Sequence, residues 1–253
     1  MRAVIALLLL TALAGCGEPK VAYPDDFLLA TEDAPEGMIL LKPGMEGWDD
    51  YVDATGATTN PGAIRPDLLA DTLAVPEPKD AHAAVYFTLA RDVLVSAAVD
   101  LGGSDEARDW IRNEALDRCL GGFRILIDGD RLAILYGFGV PSETLDEARD
   151  VLKSSSKAED LCLRAYGQAL EGATRLDPGS NGPFEGGWFT FQLAEDRTLD
   201  VVVQGEDLEV GLYDARMNAV YEGMTDNHDL RVTEAGVYGL LVGGNGFTVT
   251  LDG

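Results

Sequence analysis

Histidine is nearly missing from this chain: His82 and His228 are the only two in 253 residues. Two cannot build a three-histidine zinc site, and no H-E-x-x-H is present. A Ser-His-Asp triad would have to use one of them, yet neither is accompanied by a G-x-S-x-G elbow. There is no glycine-rich phosphate loop with a lysine, and no G-x-G-x-x-G after a strand. Gly243, Gly244 and Gly246 lie between two β-type segments and are expected in a hairpin turn. Basic residues are also scarce: 19 Lys and Arg stand against 44 Asp and Glu, a net charge of −25. Residues 16–79 carry 13 acids and 4 bases, 80–176 carry 17 and 11, and 177–253 carry 14 and 3. No region is basic, so nucleic acid is disfavoured as a partner by repulsion from its phosphates. Anionic headgroups are disfavoured for the same reason. The acidity has two readings: solubility in a medium whose salt screens it, or divalent-cation binding. The three cysteines form no C-x-x-C, so redox or zinc chemistry of that type has no residues. No apolar run reaches the ~20 residues that a membrane-spanning helix needs.

What is present at the start is informative. Met1-Arg2 leads into a short, small-and-apolar run from Ala3 to Ala12, then Leu13-Ala14-Gly15-Cys16-Gly17. The run is a signal-peptide core and is set aside from the fold. Leu13-Ala14-Gly15-Cys16 resembles the lipobox of bacterial lipoproteins. That resemblance implies lipidation at Cys16, which becomes the mature N-terminus with diacylglycerol and usually an N-acyl chain. Two or more chains hold a protein stably on a bilayer, at about 0.8 kcal/mol per buried methylene. The membrane is thus an expected partner through the lipid, on the periplasmic or exterior side. Gly17 is not the aspartate of an inner-membrane retention signal, which favours the outer membrane. An ordinary cleaved signal beside an incidental cysteine is the alternative.

Residues 1–15 are therefore signal peptide and 16–36 an acidic, proline-containing tether, whose Phe27-Leu28-Leu29 can dock on the body. An α+β domain is expected over 37–176 and a small all-β domain over 177–253. Met38–Leu41 suggests a strand. Ile64 to Val75 suggests a helix with Leu68, Leu69 and Leu73 on one side. Val85, Phe87 and Leu89 alternate, as do Val93, Val95, Ala97 and Val99, which are strand signals. Ser104 can cap a helix with Ala107, Trp110, Ile111, Ala115 and Cys119 on one face. Phe123–Ile127 and Leu132–Tyr136 form a hairpin about Asp128-Gly129-Asp130. Thr144 with Glu147, and Ser156 with Glu159, are spaced as capping boxes for two further helices. The second of these places Ala158, Leu161, Cys162, Ala165 and Ala169 inward. In an exported compartment Cys119 and Cys162 are expected to form a disulfide; two buried free thiols are the alternative.

Asp105-Glu106-Ala107-Arg108-Asp109 recurs as Asp146-Glu147-Ala148-Arg149-Asp150, an offset of 41 that also superposes the preceding strand patterns. A strand–helix–strand unit used twice predicts a ferredoxin-like α/β layer. Residues 93–153 resemble the SPOR domains that bind bare peptidoglycan glycan, which implies glycan as a partner but carries over no ligand residue. After a glycine-rich stretch at 171–187, expected as a linker, about seven short strands predict a small all-β sandwich with Phe189, Phe191, Leu212, Val237 and Phe247 inward. Trp188-Phe189-Thr190-Phe191, Val210–Asp214 and Glu234–Tyr238 resemble bacterial pre-peptidase C-terminal domains, which implies an accessory β-sandwich on a secreted protein.

Few side chains point to chemistry. Thr225–Asp229 is the best oxygen-donor cluster, and Asp226, Asn227 and Asp229 are the candidate metal ligands; the same residues are standard turn formers. His82 is expected at a strand boundary. Trp110 and Trp188 are expected in packing, and Trp48, among Glu46, Asp49, Asp50 and Tyr51, at the surface. No cofactor is expected. The sequence therefore supports a cell-envelope lipoprotein that is not an enzyme but a binding or structural module, with an envelope protein or glycan as partner. The rivals are a carboxylate-dependent hydrolase and peptidoglycan or glycan binding by the α+β domain.

Overall fold

A computed structural model describes residues 27–65 and 75–253. Cys16 and the helix expected between Ile64 and Val75 fall largely or wholly outside the described residues. In chain order the strands are β1 (Ile39–Leu40), β2 (Gly62–Ala63), β3 (Asp80–Phe87), β4 (Val93–Asp100), β5 (Arg124–Asp128), β6 (Arg131–Phe138), β7 (Glu159–Asp160), β8 (Thr174–Arg175), β9 (Gly179–Leu193), β10 (Leu199–Tyr213), β11 (Ala219–Val232) and β12 (Gly236–Asp252). The α-helices are α1 (Trp48–Thr55), α2 (Asp105–Asn113), α3 (Ala115–Leu120), α4 (Ser142–Ser156) and α5 (Leu161–Glu171). The chain is thus mixed α and β. It divides into two compact units: residues up to Ala107 with Ile127–Ala158, and Arg108–Leu126 with Glu159–Gly253.

In the first unit β1 and β2 both pair with β3, which pairs antiparallel with β4, which pairs antiparallel with β6. The order β3–β4–β6 continues to the end of β5 at Ile127 and Asp128. Gly129, at φ +61°, makes the β5–β6 turn. The pairing of β4 with β6 puts Val95 opposite Tyr136, two residues 41 apart, so the sequence repeat is centred on this pair. One equivalent helix pair is alike in burial: Ala107 and Ala148 are both 1% exposed.

Both faces of this sheet are buried at its centre: on the expected face Ala97 is 0% and Val99 1% exposed, and the alternate face is buried along its length. Tyr86, Leu94, Ser96, Ala98 and Leu135 are fully buried, whereas Val85, Val93 and Val95 are half-buried and Leu89 is exposed in the turn. The cover comes from the segment read as tether. Phe27 and Leu29 are buried. Leu29 N–H donates to Ser96 Oγ at 3.0 Å, the Tyr86 hydroxyl donates to the Leu29 carbonyl, and the Arg131 guanidinium lies 4.4 Å over the Phe27 ring. Phe27 and Leu29 therefore belong to the core, the docking that the sequence allowed for this apolar triplet, and Leu28 between them is half-buried.

Helix starts follow capping chemistry, with two departures from expectation. Ser104 Oγ accepts from Ala107 N–H at 3.0 Å, as a cap should. Helix α4 begins two residues before Thr144, after Pro141, and makes no side-chain cap. Ser156 closes α4, its Oγ donating to the Leu152 carbonyl, rather than opening the next helix. Asp160 is the true cap of α5, its Oδ1 accepting from Leu163 N–H at 3.0 Å. The expected single helix over 105–119 is two, α2 and α3.

In the second unit the order is β11–β10–β12–β9–β8, antiparallel except for β8 with β9. The seven short strands expected are four long ones of 14 to 17 residues, interrupted by bulges. The pairing slips between Gln204 and Leu208, and again between Val242 and Val249. Inward residues change parity there: Val201 and Val203 give way to Leu208, Val210 and Leu212, and Tyr238, Leu240 and Val242 give way to Phe247, Val249 and Leu251. Bulges bend a strand and shift its facing. Residues from both sides of the bulges join one buried cluster, in which Phe184, Phe189 and Phe247 lie 4.9–5.9 Å apart. Gly243–Gly246 is therefore a bulge inside β12, not a hairpin turn, and Gly179–Gly187 of the expected linker is the first half of β9. Val237 is 40% exposed; its neighbour Tyr238 is the inward residue.

Candidate functional site

The second unit presents an open groove of about 550 Å³, on the sheet face opposite the apolar cluster, where β10, β11 and β12 run side by side. Register fixes which side chains meet there. Glu209 stands opposite Met224 on one flank and Gly243 on the other. Gly211 stands opposite Glu222 and Leu241. Partners directly opposite share a face, so these six line one surface. Met224 is 76% exposed, unusual for a large apolar residue in mid-strand.

Tyr213 sets the electrostatics. A Cβ on Gly211 would lie 2.6 Å from the Tyr213 hydroxyl, so glycine lets this ring lie back over its own strand. The hydroxyl then donates to Glu222 Oε1 at 2.9 Å. Burial, reinforced by the hydrogen bond to Glu222 and its charge, holds the Tyr213 phenol well above its ordinary range. Tyr213 is thus a proton donor that fixes one glutamate. Helix α5 backs the same face: Tyr166 donates to the Tyr213 carbonyl at 3.3 Å and lies 5.6 Å from the Trp188 ring. A Cβ on Gly239 would lie 2.4 Å from the Tyr166 hydroxyl, so glycine is required at that crossing.

The residues singled out in the sequence lie elsewhere. Cys119 and Cys162, on α3 and α5, stand 5.5 Å apart between Cα atoms, with their sulfurs 2.08 Å apart. Asp226, Asn227 and Asp229 lie within β11, not in a turn. Asn227 faces Gln204 and Asp229 faces Val202, while Asp226 Oδ1 accepts from Asp207 N–H at 3.0 Å. Successive strand residues point to opposite faces, so the three do not converge. No group of three or more His, Cys, Asp or Glu able to hold a metal occurs among the described residues.

His228 is 1% exposed and structural. Its Nε2 faces the carbonyls of Thr225 at 3.1 Å and Leu208 at 3.3 Å, so Nε2 carries the proton. Nδ1, 2.9 Å from the Tyr221 hydroxyl, is then the acceptor. Both nitrogens are occupied, which leaves neither for catalysis or metal. His82 is inside β3, opposite Ala98, with Nδ1 3.9 Å from Asp80 Oδ1. Trp110 is buried, Trp188 is half-buried, and Trp48 is half-buried with its ring 5.5 Å from Tyr51. No helix among the described residues is long and apolar enough to cross a membrane.

Sequence reasoning did not select Glu209, Tyr213, Glu222 or Met224. The available signal was glycine in mid-strand, at 211 and 243, which marks a bulge or a close approach.

No protein-family model matches the sequence, and no curated protein matches it. Among solved structures, the pre-peptidase C-terminal domain of collagenase from Bacillus anthracis is similar, with 20% identity, 32% of this chain and 94% of that chain covered, and a TM-score of 0.26.

Proposed function

We propose that this chain is a cell-envelope lipoprotein, anchored by lipid at Cys16, whose body is a non-catalytic binding module. The anchor rests on Leu13-Ala14-Gly15-Cys16 behind its short apolar run. The binding role rests on one structural observation: an open groove on a hydrogen-bonded sheet, with Glu209, Glu222 and Met224 presented on its surface. A sheet backed by its own core is a rigid platform, suited to holding a partner without closing over it. The bent sheet, with one core drawn from both sides of its bulges, supports an accessory β-sandwich. The strand-plus-helix pattern that recurs at an offset of 41 within residues 93–153 supports a layer related to the ferredoxin-like arrangement.

Replacing Cys16 with Ser tests the anchor: wild type fractionates with membranes and incorporates labelled palmitate, and Cys16→Ser does neither. Retained label or membrane association in the variant rejects it.

A second reading, a carboxylate-dependent hydrolase, is favoured by one feature: Glu209 and Glu222 line the same groove. A panel of chromogenic glycosides and esters distinguishes the two. Turnover that Glu209→Gln and Glu222→Gln abolish establishes the enzyme, and its absence supports the module.

A further inference from the structure

We propose that the free edge of β11 takes up an extended basic peptide as an added strand, with a lysine or arginine side chain of that peptide lying in the adjoining groove. The inference rests on the reading of this unit as a binding module and names its partner class.

Three observations carry it. First, β11 is a terminal strand of its sheet, 14 residues long, with no strand beyond it among the described residues. Every second residue of such a strand turns its N–H and C=O outward, which is a template for another chain. The opposite margin is blunted: β8 is two residues long, and the neighbouring run of β9 carries Pro183 and four glycines. The edge of β11 has no proline and only one glycine, Gly223.

Second, the groove adjoins that edge. Glu222 and Met224 are on β11 itself, while Glu209 and Gly211 are one strand further in. A peptide strand beside β11 would have its backbone about 10 Å from β10, two strand spacings away. Only a long side chain crosses that gap. Lysine or arginine can lay its methylene stem along exposed Met224 and place its charged end at Glu209 and Glu222.

Third, the charge is complementary. The lining contains two carboxylates and no base. Residues 177–253 carry 14 acids against 3 bases, so the surroundings favour a cationic partner. The Tyr213 hydroxyl, donating to Glu222, holds that carboxylate in place before a ligand arrives.

The test is titration of the full chain, at about 0.15 M salt to screen diffuse attraction, with the end-capped peptide Thr-Lys-Thr-Lys-Thr-Lys-Thr. Two other peptides are run beside it: one with Glu for Lys, and one with alternate backbone nitrogens methylated. The lysine peptide is expected to bind at least about tenfold more tightly than either. Glu209→Gln with Glu222→Gln, which keeps an acceptor for Tyr213, is expected to weaken it about tenfold. Glu195→Gln with Asp252→Asn, outside the lining, is expected to leave it unchanged. Equal binding of the lysine and glutamate peptides overturns the basic-partner assignment while the module reading survives. Undiminished binding of the methylated peptide overturns strand addition. No binding of the lysine peptide, or equal loss in both double variants, overturns the site.

Discussion

Val95 and Tyr136 face each other across the antiparallel pair of β4 and β6, and they are also the same position in two copies of a 41-residue repeat. A residue meeting its own repeat-mate marks a local two-fold relation between the copies. Within it Ala107 and Ala148 share full burial, whereas Ala97 is buried and its equivalent Phe138 is 72% exposed.

The first prediction follows from that pair. Ala107→Leu and Ala148→Leu each force extra volume into a filled interior and are expected to destabilise by about 1–3 kcal/mol. Glu147→Gln, at the exposed position next to Ala148, is expected to change stability by less than about 0.5 kcal/mol. Urea denaturation of the three variants checks this, and similar midpoints for all three refute it.

The second concerns the segment that enters the first unit. Leu29 is 1% exposed, and its N–H bonds to Ser96, itself fully buried. Leu29→Ala is expected to cost about 2–5 kcal/mol. Ser96→Ala, which leaves a buried N–H without its partner, is expected to cost about 1–3 kcal/mol. If residues 27–29 behaved as tether, neither change would move the unfolding midpoint.

Much of the fold was legible because strands and helices have different periods. The β3–β4 and β5–β6 hairpins, the helices after them and the repeat all follow from alternation and spacing. Two physical features hid the rest. Bulges shift the inward phase by an odd number of residues, so a long bent strand such as β10 looks like two short ones. The acids and prolines around Phe27 and Leu29 give the whole of 16–36 a tether's composition, so the sequence shows that this apolar pair can dock but not which face it covers. The groove was not legible, since Glu209 and Glu222 are 13 positions apart and meet only through the register of β10 with β11.

The third prediction concerns the cysteine pair. Cys119 and Cys162 are separated by 43 residues. Closing a loop of that size stabilises by about 4 kcal/mol in the chain-entropy model. Reductant is expected to lower the unfolding midpoint, and alkylation of unreduced, denatured protein is expected to leave both thiols unmodified. Two alkylated cysteines at these positions contradict it.

The fourth is a pH dependence. Burial is the largest cause raising Tyr86, from the ordinary 10.0 to about 12, and it also raises Tyr166 and Tyr213. The folded chain then holds more protons than the unfolded chain at high pH. This stability is fully present below pH 10 and is lost as pH rises through about 12. Denaturant midpoints measured from pH 8 to 12, with tyrosinate absorbance in parallel, are expected to fall only above pH 10, with ionisation lagging a free-tyrosine control. Ionisation at the free-tyrosine pH without loss of stability contradicts this.

The most direct measurement on the central claim is the intact mass and N-terminal peptide of the mature protein purified from membranes. The expected result is a chain that begins at Cys16, lacks residues 1–15 and carries a diacylglycerol and acyl mass on that residue. A mature chain that begins elsewhere, or one with an unmodified Cys16, contradicts it.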